Sequence, residues 1–281
     1  MGRSTAATTA EHRPNRRAQL GLVLSSGAAR GTAHAGALLA LQERGIAPQV
    51  IVGTSAGALV GGLYAAGMSP ELIVERLASL TWSDIGRPRP TRALALIETT
   101  ALHSTLDWML GRKAIEDLPR RFGAVATDVR TRSAVLLDHG DATTAILASI
   151  AVPGVFPAVR TDGRTLVDGV LTSPVPVWAA HHLGATRTIA VRLRPQAPAG
   201  ARATVQRKVL TPAEEVTPDL DVVIDTEGYA SWSARDADRL IALGYETTLE
   251  ALDRVDVDEL LTEPPLTCGC ATDDGAARVA S

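Results

Sequence analysis

The chain has 281 residues, 46% of them hydrophobic and 21% charged, which is enough apolar material for one sizeable core and too long for a mini-domain. A formal net charge of −3 and only 3% aromatic residues exclude a global basic field and base-stacking platforms, so no nucleic-acid partner is expected. The two cysteines, Cys268 and Cys270, have no histidine close by. They make neither a disulfide framework nor a sensible zinc site and read as incidental tail residues.

Residues 1 to about 18 read as a flexible, basic leader. Arg16-Arg17 followed by the apolar Gly21 to Leu24 imitates a twin-arginine export signal, and Ala33-His34-Ala35 imitates a cleavage site. The apolar stretch is short, however, and is interrupted by Ser25, Ser26 and Arg30. The same residues make a good first strand and turn. No run of about 18 apolar residues exists to span a membrane.

Leu20 to Leu24 is a short apolar run suited to a buried parallel strand. Ser25 to Gly31 is a small-residue turn, and Thr32 to Glu43 carries leucines at helical spacing and ends at Gly45. Val50 to Val52 predicts a second strand. Gly53-Thr54-Ser55-Ala56-Gly57 then turns into a helix through about Ala66. Ser69 caps a further helix that opens with Pro70. Residues 83–92, with Gly86, Pro88 and Pro90, read as a surface loop. Residues 93–118 read as helical and amphipathic, with Leu94, Leu96, Ile97, Leu102, Leu106, Trp108 and Met109 on the apolar side. This segment suits a lid or lipid-facing surface, and ordinary core packing equally well.

Gly123 to Thr127 and Ser133 to Leu137 predict strands about a turn at Asp128–Arg132. Asp141 to Ile150 predicts a helix stopped by Pro153-Gly154. Leu166-Val167 leads into Asp168-Gly169. Pro174 to His182 reads as a helix, with one of His181 and His182 against the sheet and the other in solvent. Thr188 to Leu193 and Asp221 to Ile224 predict strands. Residues 195–218 read as a mobile loop, and Ser233 to Leu252 as a long helix with Ser233 at its start. The alternation of strands and helices implies one domain over residues 19–262, a three-layer α/β/α fold with a mostly parallel central sheet, and a flexible tail over 263–281.

Two turns carry chemistry. Gly53-x-Ser55-x-Gly57 lies between an apolar strand and a helix, where a sharp turn points a serine hydroxyl out of the sheet edge and flanking glycines remove clashes. The positive N-terminal end of the helix then favours negative charge beside the serine. A tight turn of small residues is the plainer reading. A Ser-His-Asp hydrolase fits poorly, because only one strand–helix unit precedes Ser55 and the only histidines after position 139 are the adjacent His181 and His182.

The other turn, Ser26-Gly27-Ala28-Ala29-Arg30-Gly31, presents successive backbone N–H groups that form an anion-binding concavity. A dinucleotide fingerprint is the competing reading, but Ser26 and Ala28 stand where its first two glycines belong, so no cofactor is expected. Both turns fall at the carboxyl edge of the predicted sheet. An N–H loop beside an exposed serine is the geometry of acyl transfer.

These blocks resemble the patatin-like phospholipases, and most closely the short single-domain bacterial members. The resemblance is carried by Leu22 to Gly31 with His34 and Gly36, by Gly53 to Ala58, by Ala126-Thr127-Asp128, by Ala151-Val152-Pro153-Gly154-Val155-Phe156-Pro157, and by Leu166-Val167-Asp168-Gly169 with Pro174-Val175-Pro176. It covers roughly residues 20–192, and more loosely Asp221 to Leu249.

The resemblance implies a serine esterase without a catalytic histidine. Ser55 is then the nucleophile and Asp168 the base. Gly27, Ala28, Ala29, Arg30 and Gly31 form the oxyanion loop, Gly53 and Gly57 flank the nucleophile turn, and Gly169 shapes the base turn. By residue type alone, Asp168-Gly169 reads first as a hairpin turn. A carboxylate within hydrogen-bond reach of a serine hydroxyl can nonetheless take its proton directly, and partial burial makes it a better base.

The expected substrate is a lipid or other acyl ester, with no metal and no cofactor. The expected location is the cytoplasm, with peripheral contact at a membrane. An acyltransferase using the same dyad and a non-catalytic lipid-binding module are the alternatives. The second is motivated by departures from the family pattern at Ser26, Ala28 and Val170. His34 reads as a core or capping residue before a site residue, and Asp128 as a turn residue.

Overall fold

The computed structural model describes residues 17–79, 87–88, 97–194, 211, 213–230 and 235–264. The apolar runs form a sheet. β1 (Leu20–Leu24) lies between β2 (Val50–Thr54) and β9 (Arg187–Arg194), and β10 (Leu220–Asp225) flanks β9. On the other side of β2 lies β5 (Arg121–Asp128). Every one of these pairings is parallel. Beyond β5 the sheet turns antiparallel, through β6 (Ser133–Leu137), β8 (Arg164–Asp168) and β7 (Val159–Thr161). A separate two-stranded ribbon joins β3 (Arg87–Pro88) to β4 (Ile97–Glu98).

Side chains alternate across the main sheet as the pleat requires. Leu20, Leu22, Leu24, Ile51, Phe122 and Ala124 point into one core with α1 (Thr32–Glu43), α2 (Ala56–Ala65), α3 (Pro70–Ser79), α4 (Thr100–Leu110), α5 (Ala142–Ser149) and a later helix, Ala237–Leu252. Val23, Val50, Val52, Val125 and Ala190 point the other way, onto α6 (Val177–His182). The strands buried on both faces are those that read as continuous apolar runs. The result is three layers.

The register explains where the site falls. β5 is flanked along one edge by β6 over Ala124 to Asp128. Its other edge carries two strands in succession: β2, ending with Thr54 opposite Val125, and β8, ending with Asp168 opposite Ala126. β2 and β8 therefore run towards each other and stop head to head. The residues at those two ends are Thr54, just before Ser55, and Asp168 itself.

Some boundaries differ from the pattern-based reading. The segment 93–118 is not one helix. Among its described residues, Ile97–Glu98 belongs to the β3–β4 ribbon, and α4 ends at Gly111, whose left-handed φ of +69° closes a helix without the strain a side chain would bring. A 3-10 turn, Ile115–Asp117, comes after it. Leu102, Leu106 and Leu110 of α4 are buried while Trp108 is exposed, with Arg76 stacked over its ring at 5.0 Å.

α6 starts at Val177, three residues after Pro174, because a residue that precedes a proline is disfavoured in the helical region, and both Ser173 and Val175 do so. His181 and His182 are both exposed; the His181 ring meets the Ala185 carbonyl, and His182 lines a surface cavity with Ser133, Ala134 and Leu136 of β6. Arg17 and Ala18, the end of the expected leader, bridge to Thr262 and Leu261. The 83–92 loop (beyond Arg87–Pro88), most of the 195–218 segment, Ser233 and nearly all of the tail lie outside the described residues.

Candidate active site

β2 delivers the chain to Ser55, and α2 begins at the next residue. The turn between them is tight enough to hold Ser55 at φ +56°, ψ −121°, a conformation that L side chains rarely adopt and that costs on the order of 1–3 kcal/mol. Such strain is the mark of a strand-to-helix serine turn. The glycines on either side have steric reasons. A Cβ on Gly57 would stand 2.1 Å from the Leu24 carbonyl oxygen, and one on Gly53 would stand 2.3 Å from the Gly57 carbonyl. The strand and helix can approach this closely only without those side chains.

The Ser55 hydroxyl donates to Asp168 Oδ2 at 2.7 Å, across 113 residues of sequence. Asp168 is fully buried and Ser55 only 6% exposed. The other carboxylate oxygen, Oδ1, accepts the Val170 N–H at 2.8 Å. The Asp168 N–H donates to the Ala151 carbonyl, and its own carbonyl accepts from the Thr127 hydroxyl at 2.9 Å. The backbone and both oxygens of Asp168 are therefore fixed. Burial raises its carboxyl from 3.8 to about 6, partly offset by the bonds from Val170 and Ser55 that favour the ionised form. Val170, a departure from the family pattern, contributes through its backbone N–H.

The small-residue loop lies against the serine turn. A Cβ on Gly31 would stand 2.4 Å from the Ala56 side chain, so the loop touches the residue after Ser55. Gly27 leads into a 3-10 turn, Ala28–Gly31, and Ala28 has φ +51°. The backbone N–H groups of Gly27, Ala28 and Ala29 have no hydrogen-bond partner among the described residues, whereas those of Ser26 and Arg30 are taken by Pro174 and Gly27 carbonyls. Arg30 is buried, and its Nε donates back to the Gly27 carbonyl at 3.4 Å. The loop thus places three backbone donors, unpartnered among the described residues, beside a buried serine–carboxylate pair. This arrangement can move a proton from a hydroxyl and receive a developing oxyanion.

His34 lies behind the loop. It is fully buried, one ring nitrogen bonds the Ser25 carbonyl at 2.8 Å, and burial lowers it to about 4. It is a neutral core histidine that ties α1 to the end of β1. Asp128 caps its own turn by accepting the Arg130 N–H. No group of histidine, cysteine or acidic residues that could hold a metal exists among the described residues, and no helix among them is long and apolar enough to cross a membrane.

Sequence reasoning overlooked Ser149. Its hydroxyl accepts the Ser55 N–H at 2.8 Å and donates to the Val125 carbonyl at 2.6 Å. The available signal was a lone hydroxyl inside the apolar stretch Ala145 to Val152, since a buried hydroxyl needs partners.

The sequence profile of the family described as patatin-like phospholipase matches residues 22–181. An uncharacterised NTE family protein of Mycobacterium tuberculosis is 41% identical over 178 residues, covering 62% of this chain and 49% of that protein. A patatin-like phospholipase domain-containing protein of Caenorhabditis elegans is 33% identical over 183 residues, covering 61% of this chain and 13% of that protein. The chain thus spans about half the length of the mycobacterial relative. Among solved structures, VipD from Legionella pneumophila shares the fold with a TM-score of 0.55 at 16% identity, covering 85% of this chain and 68% of VipD.

Proposed function

Because the chain belongs to the patatin-like phospholipase family, we propose that it hydrolyses acyl esters of lipids, with Ser55 as nucleophile and Asp168 as base. The observation that carries this reading is the 2.7 Å hydrogen bond from the Ser55 hydroxyl to Asp168 Oδ2 within a strained strand-to-helix turn. The Ser55 Oγ attacks the ester carbonyl as its proton passes to Asp168. The carbonyl oxygen becomes an oxyanion beside the free N–H groups of Gly27, Ala28 and Ala29 and near the N-terminal end of α2. Collapse breaks the ester C–O bond, Asp168 returns the proton to the departing alcohol or lysolipid, and Ser55 keeps the acyl group. Water then attacks, giving its proton to Asp168. The second collapse releases the fatty acid and restores the Ser55 hydroxyl.

Two features support activity despite the family departures. Ala28 adopts the left-handed conformation a glycine would take there and keeps its N–H. Val170 provides the N–H that holds Asp168. The same acyl-enzyme serves an acyltransferase if an alcohol or lysolipid replaces water. Product analysis with such acceptors distinguishes the two reactions.

The test is turnover of a short-chain nitrophenyl ester and of a phospholipid by wild type, Ser55→Ala and Asp168→Asn. Loss in both folded variants is expected. Full activity in Ser55→Ala overturns the reading. A wild type inert towards esters and serine-directed probes moves the non-catalytic lipid-binding module to the front.

A further inference from the structure

We propose that Ser149 is a positioning residue for Ser55, its hydroxyl standing in for the sheet hydrogen bond that the chain gives up when β2 turns into α2. This rests on the reading of Ser55 as the nucleophile. The ladder between β2 and β5 ends with Thr54 opposite Val125. Had β2 continued, the next backbone groups along this edge would have bonded strand to strand. Instead the chain leaves the sheet at Ser55, and the adjacent stretch of β5 is taken by β8 from Ala126 onward. The Ser55 N–H and the Val125 carbonyl are left at the gap between two strand ends. Both lie where water has little access, Val125 being fully buried and Ser55 nearly so. A buried backbone group left without a partner forfeits its bonds to water and gains none in return.

One hydroxyl satisfies both groups. The Ser55 N–H can only donate, so the Ser149 oxygen accepts from it at 2.8 Å. The Val125 carbonyl can only accept, so the Ser149 proton goes to it at 2.6 Å. No other assignment of the proton serves both contacts. Ser149 is itself fully buried, at the last residue of α5.

The next stretch of chain completes the tie. Two residues on, the Ala151 carbonyl accepts the Asp168 N–H at 2.9 Å. The end of α5 therefore holds Ser55 through a side chain and Asp168 through the backbone. The tie matters because Ser55 is held at positive φ, a conformation that the turn will leave if released. Relaxation would swing the hydroxyl away from Asp168 Oδ2.

The experiment compares Ser149→Ala with Thr143→Ala. Thr143 is an apt control: it lies on the same helix, is equally buried, and its hydroxyl has no partner among the described residues. Four quantities are read: kcat and KM for a nitrophenyl ester, the rate of covalent labelling of Ser55 by a fluorophosphonate, and the amide hydrogen exchange of Ser55. Ser149→Ala should lower kcat and the labelling rate at least tenfold, leave KM within threefold, and speed exchange of the Ser55 amide at least tenfold. Thr143→Ala should stay within threefold of wild type throughout.

Equal losses in both variants, or a folded Ser149→Ala with wild-type kcat and labelling, overturn the proposal. Should Ser149→Ala not fold, Ser149→Thr, which keeps the hydroxyl, must retain activity within fivefold; a folded but inactive Ser149→Thr overturns it. If wild type is inert to ester and probe alike, the nucleophile reading fails on its own. Ser55 amide exchange then decides the tie, with unchanged exchange in Ser149→Ala counting against it.

Discussion

Thr54 and Asp168 stand opposite adjacent residues of one strand, Val125 and Ala126, although they are far apart in sequence and lie on strands of opposite direction. This end-to-end meeting on the edge of β5 brings the serine after Thr54 within hydrogen-bond reach of the carboxylate. It needs no histidine between them. In a Ser-His-Asp arrangement, the imidazole bridges a nucleophile and an acid that do not touch. Here the strand register does the bridging, and the only buried histidine, His34 among the described residues, is bonded to the Ser25 carbonyl instead.

The pH dependence is set by the burial of Asp168. Its carboxyl sits at about 6, raised from 3.8. As the proposed base, Asp168 must be ionised, so kcat/KM for a neutral ester should rise about tenfold per pH unit below 6 and level off above it. The stability effect has the opposite sign. A raised carboxyl means the native state holds its proton more tightly than the unfolded chain does. The resulting stabilisation is fully present below about pH 4 and is lost as pH rises through 6. Asp168→Asn carries no such penalty. Its stability relative to wild type should therefore improve between pH 4 and pH 7, by on the order of 3 kcal/mol for a rise of this size. Urea unfolding at several pH values reads it. A constant difference across that range would mean that Asp168 titrates normally.

The strain at Ser55 predicts a stability cost attached to the site. Ser55→Ala and Ser55→Gly both remove the hydroxyl, so both should be inactive. They differ in backbone freedom: alanine keeps the penalty of φ +56°, ψ −121°, and glycine relieves it. Ser55→Gly should be more stable than Ser55→Ala by about 1–2 kcal/mol, even after the added entropy of the unfolded glycine chain. Thermal denaturation of the two variants side by side checks this. Equal stability would show the turn to be relaxed.

How much of this was legible in the sequence depends on the distance over which each feature is decided. β1, β2 and the turns after them are local: an apolar run, then small residues, then a helical pattern, and they lie where the pattern puts them. The end of α4 was missed because the amphipathic pattern was read through Gly111, whose left-handed backbone stops the helix whichever residues come next. The start of α6 was placed too early because two prolines within a helix-like stretch were weighed less than the apolar residues between them.

Asp168 stands differently. Its own neighbours, an aspartate before a glycine, read first as a hairpin turn. What sets it beside Ser55 is the antiparallel pairing of β8 with β5, a long-range choice that single-strand patterns do not encode. Only resemblance to a family pointed to it. Ser149 was invisible for the same reason, since its partners belong to two other elements.

Ala28 offers a substitution expected to help. Its φ of +51° costs an alanine roughly 1 kcal/mol relative to a glycine in that region. The backbone N–H is the group proposed to meet the oxyanion, and Ala28→Gly leaves it in place. The variant should gain up to about 1 kcal/mol of stability and retain or exceed wild-type ester turnover. A fall in turnover beyond fivefold would mean that the methyl group itself positions the loop. Chemical denaturation and steady-state kinetics on the same preparation separate the two effects.

Gly169 offers the opposite case. A Cβ there would stand 2.1 Å from the Val125 carbonyl oxygen and 3.0 Å from the Thr54 side chain. The carbonyl cannot yield, because it belongs to the central strand and already accepts the Ser149 hydroxyl. The turn after Asp168 must move instead, and with it the Val170 N–H that holds Oδ1. Gly169→Ala should destabilise the fold by about 1–3 kcal/mol, as overpacking of a rigid core does. It should also reduce ester turnover far more than its stability loss explains, since the carboxylate loses its anchor. Gly154→Ala is the matching control: its Cβ would meet nothing within 4 Å, and only the cost of φ +84° applies. Urea unfolding together with kcat at a temperature where both variants are fully folded distinguishes them. Wild-type turnover in Gly169→Ala would show that the close contact with β5 does not set the position of Asp168.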